Sequence, residues 1–361
     1  MKNTRNLTFQ GRIAVVTSDI TTSEDDFHSA DLLVAKYGAD KIIHPNWSAD
    51  ITTRKEQMID TVAALAADSE IKALIFNQAL LGTNAAVDKL KETRDDVFIV
   101  YCSAHDPISE ASVRASLMLR PDELGMGQAM VHQAKKQGAG VFVHYSFPRH
   151  MSQMIISSRR SLIEETCAKE SLGFIDATAL DHQGEAGIDG ARQFILENVP
   201  RIVAEYGENT AFFCTNCNLQ SSLIRAVVDN HAIYPQPCCP SPYHGFPQAL
   251  GIITGEDFSN LSYLIGEISR IAEEKNMTDR LSSWPVSSSM MYANAGAEYA
   301  IKRIRGQAPK DGIDDSILMD CMSTYVKEVV GEESNVYMKP YLEEGITYKN
   351  FKLILMSYLD F

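Results

Sequence analysis

The sequence predicts an α/β protein of two Rossmann-like lobes, each a doubly wound parallel sheet, joined by hinge crossovers. Three observations carry that expectation. Short unbroken apolar runs recur, such as Ile13-Ala14-Val15-Val16, as in strands buried on both faces. Longer stretches with apolar residues at helical spacing follow them. The alternation returns roughly every thirty residues, the length of a βα unit, and it does so in two series.

The first series opens with a strand at Arg12–Thr17 and a helix over Ser23–Gly38. Ser23 and Asp26 form a capping-box-like start, Ala30, Leu33, Val34 and Tyr37 share a face, and Gly38 supplies the stop. A strand at Lys41–His44 precedes a helix opened by Thr53 and Glu56, with Met58, Val62, Leu65 and Ala66 on its inner face. Strands at Ala73–Phe76 and Val97–Tyr101 flank a helix at Thr83–Thr93.

The second series begins where Arg120-Pro121 places proline at a helix start, opening Asp122–Gln137. Strands follow at Gly140–Tyr145, Phe174–Thr178 and Thr210–Cys214. The helices between and after them are Met151–Glu170, Gly187–Tyr206 with Pro200 inside it, and Leu219–Asp229. The proline-rich stretch 235–247 reads as a crossover, after which Ser259–Glu274 and Met290–Arg305 are helical and Phe351–Met356 is an added strand. The expected lobes are therefore residues 1–115 with 248–305, and residues 116–247. Residues 306–361 form an extension packing on the N-terminal lobe.

Composition narrows the function. In 361 residues, 45% are hydrophobic and 22% charged, as in an ordinary globular protein rather than a disordered one. The net charge of −14 repels phosphate backbones and anionic lipid, so direct nucleic-acid binding is not expected. The uncharged stretch from Asn230 to Gly255 contains five prolines and cannot be a membrane-spanning helix. Met1 to Asn6 lacks the apolar run of a secretory signal. A cytoplasmic location is expected, the alternative being an extracytoplasmic chain already trimmed. Partners beyond a small ligand would be a second copy or another protein.

In open parallel sheets ligands bind at the carboxyl ends of strands. In the first series those ends carry Thr17, Ser18, Asp19, Asn46, Trp47, Asn77 and Gln78, then Cys102, Ser103 and His105. In the second they carry Ser146, Phe147, Arg149 and His150, then Thr178 and Asp181, then Thr215 and Asn216. Short hydroxyls and amides suit a small polar ligand, with Trp47 and Phe147 covering an apolar or ring face. Arg149 would clamp a carboxylate or phosphate. His105 and His150 have no nucleophile or carboxylate spaced beside them in an acid–base arrangement. No dinucleotide, P-loop, zinc-peptidase or nucleophile-elbow motif stands at a suitable place. Hence no cofactor and no enzymatic step is expected. Arg159-Arg160 reads as a solvated helix face paired with Glu164 or Glu165.

The seven cysteines, at 102, 167, 214, 217, 238, 239 and 321, read as mostly reduced thiols. Cys214-Thr215-Asn216-Cys217 has the form of a redox motif at a strand end. Cys214, Cys217, Cys238 and Cys239 are together a minor candidate for a metal or redox centre, against which adjacent Cys238 and Cys239 would strain tetrahedral ligation.

Ile13-Ala14-Val15-Val16-Thr17 and Ala211-Phe212-Phe213-Cys214-Thr215-Asn216 resemble the type 1 periplasmic-binding-protein superfamily, which includes sugar receptors and the effector domains of lactose-repressor-class regulators. Ser23-Glu24-Asp25-Asp26, Ser146-Phe147-Pro148-Arg149-His150-Met151-Ser152, the Thr210–Asn216 run and Pro240-Ser241-Pro242 are similar to an uncharacterised bacterial family of that fold. The resemblance covers approximately residues 12–305. It implies two lobes closing over a ligand, with Thr17, Asn77, Ser146 and Asn216 facing it. Superfamily members often carry Asn-Asp where this chain has Asn216-Cys217. The leading expectation is a small-ligand sensor without catalysis. The alternatives are the effector part of a transcriptional regulator lacking its own DNA-binding module, or a cysteine-based metal or redox protein.

Overall fold

Ile13, Ala14, Val15 and Val16 are wholly buried at the centre of a sheet, as an apolar run without alternation requires. The structure is a computed structural model that describes residues 9–20, 23–47, 50, 54–253, 261–331 and 334–361. Thr53, the first member of the expected capping box, and residues 259–260 lie outside the described residues. The chain divides into two units, residues 1–121 with 288–354 and residues 122–287 with 355–361. It passes between them three times, after Pro121, Ser287 and Ile354.

In the first unit the sheet runs, edge to edge, Val336–Glu343, Ile346–Met356, Leu117–Pro121, Phe98–Cys102, Ile71–Asn77, Arg12–Ser18 and Ile42–Ile43, with Asn46–Trp47 also paired to Arg12–Ser18. From Ile346–Met356 onward every pairing is parallel. Leu74, Phe76 and Tyr101 on one face pack with Met58 and Val62 of helix Arg54–Ala66 and with Val87 and Leu90 of helix Thr83–Lys91. Ile75 and Val100 on the other face meet helix Ser288–Ile304, where Gly296 lies close to both. Helices on both faces explain why these strands read as continuous apolar runs.

Besides the short Asn46–Trp47 strand and Ile108–Ala111 helix, three longer elements of this unit escape the sequence reading. Leu117–Pro121 is a strand, so Pro121 ends a strand instead of starting a helix. The helix begins after Asp122, whose side chain accepts from the Gly125 N–H at 3.1 Å. Asp315–Val330 is a helix capped by Asp314, which accepts from the N–H groups of Ser316 and Ile317. Val336–Glu343 turns into the next strand through Glu344-Gly345, both at positive φ (49° and 79°). That pair of conformations is what a two-residue hairpin turn demands, and glycine adopts it without steric cost.

In the second unit Gly173–Thr178, Val141–Ser146 and Thr210–Cys214 form a parallel three-stranded sheet. Single bridges carry it outward, Ala211 to Ile233 and Tyr234 to Leu281. Ser282–Ser283 then pairs antiparallel with Leu359–Asp360, and Phe361 packs on Phe246 at a centroid distance of 5.2 Å. Residues 248–287 therefore group with the second unit and not with the first, where the sequence placed them. The same bridges explain it, since Arg280 and Ser282, on either side of Leu281, are hydrogen-bonded to Tyr234. The expected C-terminal extension is divided: 306–354 completes the first unit and 355–361 the second.

Among the described residues no helix is long and apolar enough to cross a membrane.

Candidate functional site

The strand ends of the first unit hold polar groups in a nearly dry setting. Thr17 is fully buried; its hydroxyl donates to the Ser18 carbonyl at 2.9 Å and lies 2.9 Å from His44 Nε2. His44 Nδ1 is in turn 2.9 Å from Asp31. Burial holds the His44 pKa below its ordinary value despite that carboxylate. Asn77 is fully buried and donates through Nδ2 to Ser29 Oγ at 2.8 Å, which fixes its amide plane. Asn77 Oδ1 and Ser18 Oγ are buried with no hydrogen-bond partner among the described residues. Gln78 follows at φ 63° and Ser103 stands at φ 47°, so both strand ends turn sharply. Asn46 is exposed.

Trp47 does not cover a rim. It is 1% exposed and stacks on Phe76 at 6.1 Å within the core. A single large aromatic after a strand looks the same in sequence whether it caps a site or fills the layer beneath it.

In the second unit eight strand-end residues converge. Ser146 Oγ lies 3.0 Å from Thr215 Oγ1, which lies 3.0 Å from His150 Nδ1. The His150 ring sits against Phe147 at 4.1 Å, and Phe147 meets His182 edge-on at 6.2 Å. Asn216 Nδ2 is 2.8 Å from His182 Nδ1, while Asn216 Oδ1 accepts from the Asn218 N–H. Arg149 donates twice to Asp181, at 2.8 Å each, and its guanidinium stands 5.2 Å over the Phe147 ring. The Arg149 guanidinium holds the Asp181 carboxyl well below the usual carboxylate range. Burial, then the Arg149 charge, lowers the His150 pKa.

This cluster corrects two expectations. The Arg149 fork is engaged by Asp181 and is no open anion clamp, and Phe147 is 1% exposed, packed beneath the polar groups. His182 escaped the sequence reading. Its only signal was its place beside Asp181 after a strand end, since its partner Asn216 lies 34 positions away.

Arg159 and Arg160 part company. Arg160 pairs with Glu164 and Asp176, as a solvated face would. Arg159 is 5% exposed and lies over Phe213 at 5.6 Å, with Glu123 at 3.9 Å. Cys214 is fully buried, its thiol pushed up to about 12 by desolvation, so the Cys214–Cys217 redox motif lacks a reactive first thiol. Cys217 lies instead with Cys238, Cys239 and His244.

Residues 11–282 match the family described as "Protein of unknown function (DUF3798)". The chain belongs to this family. Two uncharacterized proteins of Treponema pallidum (strain Nichols) are similar to this DUF3798 protein. One is 32% identical over 165 residues, 46% of this chain and 76% of that protein. The other is 29% identical over 178 residues, 48% of this chain and 80% of that protein. Among solved structures, a proposed transcriptional regulator from Clostridium difficile 630 is similar at a TM-score of 0.87 and 20% identity, over 98% of this chain and 100% of that one. A periplasmic ribose ABC transporter protein from Conexibacter woesei DSM 14684 is similar at a TM-score of 0.50 and 9% identity, over 85% and 90%. The DUF3798 chain thus has the type 1 periplasmic-binding-protein-like fold, with two α/β lobes.

Proposed function

We propose that this protein binds a small, neutral, hydroxyl-bearing ligand at the carboxyl ends of its parallel strands and performs no chemical step on it. One observation carries the reading. Ser18 Oγ and Asn77 Oδ1, at the ends of two neighbouring central strands, are buried without a partner among the described residues. Each such atom costs about 1–3 kcal/mol in a folded protein, so an orphan at each of two neighbouring strand ends favours a ligand or water there. A ligand hydroxyl donates to Asn77 Oδ1, and Ser18 both donates and accepts. The ribose transporter protein of the same fold supports a polyol or sugar as the ligand class.

Native mass spectrometry of the protein as purified, compared with its denatured mass, tests this. A small organic mass lost on denaturation identifies the ligand class. Equal masses, together with no thermal stabilisation by a panel of pentoses, hexoses and polyols, overturn the proposal.

A second reading concerns what binding is for. Similarity to a proposed regulator over 98% of this chain and all of that one favours a sensor over a transport component. With a net charge of −14, contact with DNA would run through another protein. A band shift by the purified chain alone at physiological salt would refute the need for that other protein.

A further inference from the structure

We propose a mononuclear zinc site in the second unit, with Cys217, Cys238, Cys239 and His244 as its four ligands. Their ligand atoms all lie within 4.8 Å of one another. The individual separations have the size of a coordination tetrahedron. With Zn–S near about 2.3 Å and Zn–N about 2.0–2.1 Å, tetrahedral edges are about 3.8 Å for S···S and about 3.5 Å for S···N. Here Cys217 Sγ is 3.7 Å from Cys239 Sγ and 3.2 Å from Cys238 Sγ, the two adjacent sulfurs are 4.0 Å apart, and His244 Nε2 is 3.5 Å from Cys238 Sγ. The 3.2 Å pair is far from the about 2.05 Å of a disulfide. Adjacent cysteines thus meet the geometry that their spacing in sequence argued against, because the chain around Cys238 and Cys239 is irregular and aims both side chains to one point.

The scaffold around the four ligands is built and buried. Gln220, fully buried, donates through Nε2 to the carbonyls of Cys214 and Asn216 at 3.0 and 2.7 Å, and its Oε1 accepts from the Cys238 N–H at 3.3 Å. Tyr234 donates to the same oxygen. One side chain therefore ties the turn that carries Cys217 to the loop that carries Cys238. Gly245 follows His244 at φ 87°, where a Cβ would stand 2.9 Å from Gln220 Cβ and 3.0 Å from Ile224 Cδ1. Only glycine lets the His244 segment lie this close to helix Gln220–Asp229.

Binding Zn2+ displaces the three thiol protons to solvent, leaving three thiolates and a neutral imidazole around the ion. Four protein ligands leave no open position, which is the arrangement of a structural rather than a catalytic zinc. The ion would clamp the 235–245 loop to the turn next to Asn216, and this site stands independently of the ligand reading.

The test uses the full chain purified under reducing conditions. A single zinc ion per chain is expected by elemental mass spectrometry. It should be absent from Cys217→Ser and His244→Ala, and retained by Cys321→Ser, a buried thiol of the first unit. Replacement with Co2+ should give tetrahedral d–d absorption and thiolate-to-cobalt charge transfer on the native chain, which decides the matter even if the variants fail to fold. Failure of the reduced native chain to bind zinc or cobalt, cobalt bound without thiolate charge transfer, or zinc content unchanged in both ligand variants overturns the proposal.

Discussion

The two units present the same kind of strand end and use it differently. In the first, Ser18 and Asn77 are buried with hydrogen-bonding capacity left over. In the second, Ser146, His150, Thr215, Asn216, His182, Arg149 and Asp181 are bonded among themselves. One rim has capacity to offer a ligand, while the other is held in shape by its own contacts. Equal topology does not make equal sites; what matters is whether the strand-end groups already have partners.

Substitutions can break that comparison. The largest effect is expected from Phe147→Ala, which removes a buried ring from between Arg149, His150 and His182. A loss of about 3–5 kcal/mol is expected in chemical denaturation. A loss under about 1 kcal/mol would show that the second rim does not depend on its aromatic base. Next comes Asn77→Ala. With the ligand identified by mass spectrometry, roughly tenfold weaker binding is expected, the size of one hydrogen bond to a buried amide. Asn216→Ala should cost less affinity than Asn77→Ala, because Asn216 Oδ1 and Nδ2 are already engaged. The reverse order in calorimetry would invert the roles of the two rims.

Acid sharpens the comparison from another side. Burial lowers the pKa of His44 in the first unit and of His144 and His150 in the second below 6.5. Protonation is thus costlier folded than unfolded. Their stabilising contribution is intact above pH 6.5 and is lost as pH falls through the folded values. Thermal midpoints should therefore decline between neutrality and mild acid. His144→Phe, which keeps a ring against Phe213, should flatten that decline; an unchanged slope would acquit this histidine. The smallest effect belongs to Asp181→Asn. Its pair with Arg149 is solvent-facing, so thermal stability should hardly move.

The sequence showed the strands well and the site unevenly, for physical reasons. Residues such as Ile13–Val16 and Ala211–Phe213 are buried on both faces, and that leaves a local mark. Thr17, Asn77, Ser146 and Asn216 stand at strand ends for the same reason. Burial depth leaves no such mark, so Trp47 and Phe147 read as lids although each is 1% exposed. Partnerships between distant segments are equally silent. Asp181 meeting Arg149, His182 meeting Asn216 and His244 replacing Cys214 beside Cys217 all depend on how loops return to one sheet edge. Leu117–Pro121 was hidden by its own last residue, since proline at a strand end reads as a helix opening.

The three passages of the chain between units have a consequence for synthesis. Residues 122–287 are contiguous, so most of the second unit can fold once that segment has emerged. The first unit begins earlier yet waits longer. Its Ile71–Asn77 and Phe98–Cys102 strands lack their covering helix until Ser288–Ile304 is made. Apolar sheet surface is exposed meanwhile, so stalled nascent chains from which residue 287 has just emerged should show hydrogen-exchange protection in Val141–Ser146 and not in Ile71–Asn77. On this view the apolar sheet face left waiting longest for its cover belongs to the unit whose strands are made earlier.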